Sequence, residues 1–253
     1  MRVLFIGDVV GGSGRSAIAA ILPRLAAQYD WDLCIANAEN AAGGKGITPA
    51  IAQELMAMGI DVLTMGNHTW DNKEIFQFID DAPFLVRPAN YPINVPGRGF
   101  TVVERQGQRI AIINLSGQVF MDSMQCPFAK ADEILADLTD CQHIIVDFHA
   151  EATAEKVAFA RYLDGRAAAV IGTHTHIQTA DEQALPKGTL YITDVGATGA
   201  VNSVLGMEIE PVIKRLTTKM PQRFSAAKGV GMLCAVWMDF AAKTIQRLAI
   251  TTE

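Results

Sequence analysis

The chain has 253 residues, 50% hydrophobic and 19% charged, with a formal net charge of −6 at neutral pH. That length and apolar content suffice for one sizeable core and exclude a disordered chain. No Lys/Arg-rich run interrupts the mild acidity, which argues against stable binding of long nucleic acid; a small anionic substrate stays open, because a bound cation outweighs a weak surface charge.

In chain order, "RVLFIGD" predicts a first strand and "SAIAAILPRLAAQY" a helix interrupted or restarted at Pro23. "DLCIANAEN" is a strand running into a loop. "TPAIAQELMAMG" predicts a helix with Thr48 as N-cap, Pro49 at its first position and Gly59 as its stop. "DVLTMGNH" is again strand then loop, and "NKEIFQFI" a short helix. "GFTVVERQGQRIAIINL" alternates on both sides of a Gly-containing turn and predicts a hairpin. "KADEILADL" is helical, "HIIVDFHAE" a strand, "TAEKVAFARYLDG" a helix and "AAAVIGTHTH" a strand then loop. "TLYITDVG" is a strand, "EIEPVIKRLTTKM" a helix and "VGMLCAVWMDFAAKTIQRLAI" a second hairpin. No linker, repeat or low-complexity tract divides the chain, so one domain over residues 1–253 is expected. Strand–helix alternation with two hairpins predicts an α/β fold with a mixed sheet or two sheets, helices outside.

The cysteines, Cys34, Cys126, Cys141 and Cys234, form no CxxC pair, and Cys34 and Cys234 lie in apolar runs. Those two read as small buried hydrophobes, and the set argues against a disulfide framework or a thiolate zinc site. The N-terminal apolar run is too short for a signal-peptide core or a membrane span, so a cytoplasmic protein without a membrane partner is expected.

The polar residues after the strands carry the chemistry. Asp8 follows the first strand, Glu39 and Asn40 the second, Asn67 and His68 the third. His149 and then Glu151 follow "IIVDF", and His174 and His176 follow "AAVIG". Ligands of open α/β sheets bind outside the carboxyl ends of the strands. In an extended segment residues i and i+2 point the same way, so His174 and His176 can face one metal site. Carboxylate, amide and imidazole donors without thiolate suit Mn, Fe or Zn and disfavour Cu(I). Asp8, Glu39, Asn40, Asn67, His149, His174 and His176 are too many for one tetrahedral zinc. They match two divalent or trivalent ions ~3.5–4 Å apart that share a bridging carboxylate, with Glu39 the natural bridge. A rival dinucleotide-binding reading rests on "GSGRSA", but Asp8 lies where a pyrophosphate would approach. "AAGGKGIT" fails as a phosphate loop because Gly46 follows the Lys; its glycines read as backbone passing close to the metal site.

The motifs "GDVVGGSGR", "NAENAAGGKGIT", "GNHTWD", "VDFHAEATAEK", "GTHTHIQTADE" and "TDVGATG" resemble, in order and over most of the chain, the calcineurin-like metallophosphoesterases, in their YmdB-like bacterial phosphodiesterase branch. The resemblance implies a sandwich of two packed mixed β-sheets flanked by α-helices. It implies hydrolysis of a small phosphodiester, 2′,3′-cyclic nucleotides included, by a metal-bound hydroxide, and it allows a homo-oligomer. The superfamily's first motif is Asp-x-His; here Val10 stands in place of the His, and in this branch Asn40 is the compensating ligand. One metal would take Asp8, Glu39, Asn40 and His176, the other Glu39, Asn67, His149 and His174. His68 matches the residue used near the scissile phosphate, outside the filled metal shells, where it would act as general acid. The alternative is a regulatory metal-binding protein of the same fold. Of the remaining residues, Glu151 reads either as a partner of a ligand histidine or as a helix N-terminal carboxylate, and Asp194 as a residue that orients a ligand or turns the chain. His143 reads as exposed. Residues 217–229 read as a basic loop, with Arg223 able to hold phosphate.

Overall fold

The computed structural model describes residues 1–253. Its first half holds strands β1 (Arg2–Ile6), β2 (Asp8–Val9), β3 (Leu33–Asn37), β4 (Val62–Thr64) and β5 (Leu85–Val86), with helices α1 (Gly11–Ala26) and α2 (Pro49–Ala57) and a 3-10 turn (Lys73–Gln77) between them. Then come β6 (Phe100–Arg105), β7 (Gln108–Ser116), α3 (Pro127–Asp137), β8 (His143–His149), α4 (Thr153–Tyr162), β9 (Ala169–Thr173), β10 (Gln183–Ala184), β11 (Leu190–Ile192) and β12 (Ala197–Ala200). Helix α5 (Ile209–Thr218) precedes the closing hairpin of β13 (Gly231–Asp239) and β14 (Thr244–Thr251).

The strands form two mixed sheets. One runs β2-β12-β13-β1-β3-β4-β5, with β14 paired to the other edge of β13; the second runs β10-β11-β9-β8-β7-β6. Strands β1, β3, β4 and β5 are parallel, as are β7, β8, β9 and β11. Both faces of these strands are covered, which is why their sequences read as continuous apolar runs. Val3, Phe5, Leu33 and Ile35 of the first sheet meet Ile110, Ile112, Ile145 and Ile171 of the second in a shared core layer. On the outer faces, Ile18, Ile21 and Leu25 of α1 and Leu55 of α2 cover the first sheet. Phe159 of α4 and Ile134 of α3 cover the second. This is the two-sheet sandwich that the motifs imply.

Local sequence accounts for most boundaries. Thr48 caps α2, its hydroxyl accepting from the Ile51 N–H at 3.2 Å, and Pro49 opens the helix. The β6–β7 turn places Gln106 and Gly107 at φ +51° and +71°, the left-handed pair that matches strand twist. Three expectations need correction. Helix α1 begins at Gly11, earlier than the apolar pattern starts, and runs unbroken through Pro23, giving up the hydrogen bond that an N–H there would make to the Ala19 carbonyl. Gly14 lets the helix pack on β12: a Cβ there would stand 2.3 Å from the Thr198 carbonyl oxygen. His143 is half-buried, its ring against Phe240 and its Nε2 3.2 Å from Gln108 Oε1.

Candidate metal centre

The carboxyl ends of β1, β3, β4, β8 and β9 meet at one edge of the sandwich and bring all eight singled-out side chains together. His149 Nε2 is the hub. It lies 2.9 Å from Asn67 Oδ1, 3.0 Å from His174 Nδ1 and 3.1 Å from Glu39 Oε1. Glu39, His149 and His174 alone satisfy the spacing of a metal-binding group. Beside them, His176 Nε2 lies 3.2 Å from Asn40 Nδ2 and 3.8 Å from Asp8 Oδ1. The Asn40 amide also reaches Glu39 Oε1 at 3.3 Å through Nδ2 and His68 Nδ1 at 2.7 Å through Oδ1. His68 therefore stands within the donor group, where the sequence set it apart from the metal shells. Gly66 makes the close approach possible: a Cβ there would lie 2.4 Å from Glu39 Oε2 and from the His149 ring. That role had been expected of Gly43, Gly44 and Gly46, but Gly44 and Gly46 pass Met207 and Asn72 instead.

Each ring is fixed by its outer nitrogen. His176 Nδ1 donates to the Leu205 carbonyl at 3.0 Å, and His174 Nε2 to Glu151 Oε2 at 3.1 Å. His149 Nδ1 donates to Thr173 Oγ1 at 2.9 Å, and Thr173 in turn donates to Asp147 Oδ1 at 2.6 Å. A carbonyl and a carboxylate only accept, and the Thr173 proton is committed, so an N–H sits on the outer nitrogen and the inner nitrogen is the one turned to the site.

The His174–Thr175–His176 stretch is not extended as the i, i+2 argument assumed. His174 and His176 hold φ +98° and +66°, left-handed values that strain non-glycine residues by ~1–3 kcal/mol each. Both rings reach the site through this turn, and Asp194 clamps its middle. Asp194 Oδ2 accepts from Thr175 N–H (3.0 Å), Thr175 Oγ1 (2.7 Å) and Lys156 Nζ (2.7 Å), while Oδ1 accepts from Gly196 N–H (2.8 Å). Asp194 thus orients the ligand turn, one of its two expected roles.

The electrostatics call for a cation. Asp8 and Glu39 are fully buried, and Asp8 Oδ1 has no hydrogen-bond partner. Burial pushes the Asp8 carboxyl up to about 6, against the pull of His176 and His149. Burial also acts to raise Glu39, but His149 and His68 overcome it and hold that carboxyl down at about 2. Burial opposes charge on His149, yet Glu39 first and Asp8 next lift its imidazolium to about 9. Burial and the neighbouring His149 push His174 down to about 3, keeping a neutral ring. A proton on His149 thus occupies the place that a metal ion would take, and the donor types present suit such an ion.

The model of the YmdB-like protein family matches residues 4–252. The chain belongs to that family. A 2′,3′-cyclic-nucleotide 2′-phosphodiesterase of Bacillus subtilis (strain 168) is 52% identical to this YmdB-like chain over 259 residues, covering 100% of it and 98% of the relative. The crystal structure of a hypothetical protein from Thermus thermophilus superposes with a TM-score of 0.94 at 43% identity, covering 99% of both chains. That of a novel phosphatase from Mycoplasma pneumoniae gives 0.92 at 36% identity, covering 99% of this chain and 92% of its own. The YmdB-like sandwich is a metallophosphoesterase-type fold.

Sequence reasoning missed Asp147. It is fully buried and accepts from Thr64 Oγ1, Thr173 Oγ1 and Asn37 Nδ2, and Asn37 Oδ1 accepts from Glu39 N–H. The available signal was a lone carboxylate inside "IIVDF". Arg223 lines a separate cavity of about 680 Å³ with Gly12, Arg15 and Gly43. Lys156 was also overlooked, although only 1% of it is exposed against a fully buried Asp194. Asp194→Asn in this YmdB-like chain leaves that ammonium unpaired and is expected to cost about 3–5 kcal/mol. Thr175→Val removes one hydroxyl bond and no charge, for about 1 kcal/mol. Urea unfolding of both, with Lys156→Met added to Asp194→Asn, measures this. Equal small losses for the two single variants, or no recovery in the double variant, would contradict the clamp.

Proposed function

We propose that the chain is a metal-dependent phosphodiesterase acting on small diesters, with 2′,3′-cyclic nucleotides as substrates. The observation that carries this is the donor cluster itself: inner nitrogens fixed by outer hydrogen bonds, around two buried carboxylates one of which has an unpartnered oxygen. The name of the Bacillus subtilis relative supports the substrate class. Asp8, Glu39, Asn40 and His176 would hold one ion, and Glu39, Asn67, His149 and His174 the other, with Fe or Mn foremost. Asn40 would take part through its side-chain amide, which already touches His176 and His68. The whole of residues 1–253 acts as one domain. Four free cysteines suit a reducing cytoplasm, and no helix is long and apolar enough to cross a membrane.

When bound, the ions supply Lewis-acid activation of water and neutralise charge on the phosphate oxygens. The protein's own groups do the rest. Asp147 through Thr173, Glu151 and the Leu205 carbonyl keep the imidazoles aimed inward, and Asp194 holds the turn that carries two of them. His68 supplies a proton to the leaving oxygen. In the free protein burial holds His68 below the ordinary imidazole value, with Glu39 and Asp71 opposing. A phosphate anion beside it pushes the other way, toward the protonated donor.

Chelation is expected to abolish turnover of a 2′,3′-cyclic nucleotide and Mn²⁺ to restore it; undiminished turnover in the fully chelated protein would sink the reading. For His68, removing general acid help costs typically ~10²–10⁴-fold in rate. His68→Ala is expected to keep the metal and lose mainly kcat, far less on an activated aryl ester, whose leaving group needs no proton. Metal loss in that variant, or an equal fall in kcat on both substrates, would exclude the general-acid role.

A further inference from the structure

A cavity of about 300 Å³ opens beside the donor cluster, walled by Asn67 and His174 on one side and by Phe120, Met121 and Asp122 on the other. The outer wall is a loop after β7 that is tied down at several points. Gly117 N–H donates to the His149 carbonyl at 2.9 Å, which fixes the loop root to a cluster residue. The Glu155 carboxylate, in the first turn of α4, accepts from Gln118 N–H at 2.9 Å and Val119 N–H at 3.2 Å. The Gln118 amide donates to the Met124 carbonyl at 2.7 Å and closes the loop on itself.

Phe120 is at the tip, at φ +63° and 88% exposed. A bulky residue at positive φ is strained, and a phenyl ring in water is unfavourable. Neither cost is recovered in the core, since Phe120 belongs to none of the buried clusters. The loop's hydrogen bonds hold an aromatic face open at the mouth of the centre.

We propose, resting on the phosphodiesterase reading above, that Phe120 is the platform on which the substrate's nucleobase stacks, the cavity beside Asn67 and His174 receiving the nucleoside. A phosphate held at the donor cluster directs its ester substituent into the adjoining space. Every nucleobase has a π face, so one phenyl ring gives affinity for purines and pyrimidines alike without reading their edges.

The test is steady-state kinetics of the metal-loaded parent, Phe120→Ala and Phe120→Trp on 2′,3′-cyclic nucleotides and on the base-free methyl riboside 2′,3′-cyclic phosphate. The parent is expected to favour the nucleotides in kcat/KM. Phe120→Ala should lower that selectivity ratio by roughly tenfold through KM, and Phe120→Trp should retain it. An unchanged ratio in Phe120→Ala overturns the proposal, and so does a parallel loss on the base-free ester, which would make Phe120 a scaffold of the loop. Altered sedimentation with an unaltered ratio also overturns it and assigns the ring to a contact between copies. A parent that hydrolyses the base-free ester as well as the nucleotides loses the platform and keeps the diesterase reading. A parent that hydrolyses neither loses both.

Discussion

Four carboxylates, Asp8, Glu39, Asp147 and Asp194, are completely buried where the ends of the two sheets meet. Buried charge must be paired or hydrogen-bonded, and the four are compensated differently. Asp194 has Lys156 at 2.7 Å and three further donor contacts. Asp147 has no cation but three side-chain donors, and burial still raises its pKa. Asp8 and Glu39 have only imidazoles and amides, and one Asp8 oxygen has nothing. At the donor cluster the least compensated group is Asp8, whose Oδ1 has no partner, whereas His149 and His68 hold Glu39 charged. A cation at that point completes the pairing that the fold leaves unfinished.

Asp147 connects this charge pattern to the architecture. It projects from β8 of the second sheet and accepts from Asn37 of β3 and Thr64 of β4 in the first. Through Asn37 it fixes the Glu39 backbone; through Thr173 it fixes the His149 ring. One carboxylate thus orients a cluster residue on each sheet and locks the sheets at the site. The apolar layer beneath, from Val3 to Ile171, sets the distance across which these bonds are made. The geometry of the donor cluster and sandwich packing are therefore the same constraint.

Much of this was legible in the sequence, because strand ends are punctuated by the polar residues that gather in the cluster. Asp8, Glu39, Asn67, His149 and His174 each follow an apolar run, and chain order alone gathered them. The hairpins and the Thr48 cap were readable for the same reason: local chemistry fixed them. What stayed hidden depends on partners distant in sequence. The pairs β2–β12 and β4–β5 involve strands too short for a period to register. Lys156 looks like any surface lysine of a helix until α4 packs it against Asp194, 38 residues on. The left-handed turns at His174 and His176 carry no glycine to announce them. The contact of His68 Nδ1 with Asn40 Oδ1 was not legible either, because residues 67–70 form a turn, where the alternation of strand residues no longer sets side-chain direction.

The central claim is that the buried Asp8 and Glu39 charge is completed by two metal ions. Elemental analysis of gently purified or reconstituted protein, with turnover measured on the same sample, tests it most directly. The account predicts close to two transition-metal ions per chain, falling with Asp8→Asn and Glu39→Gln together with turnover. A reproducible count of one or none in a fully active sample would contradict it.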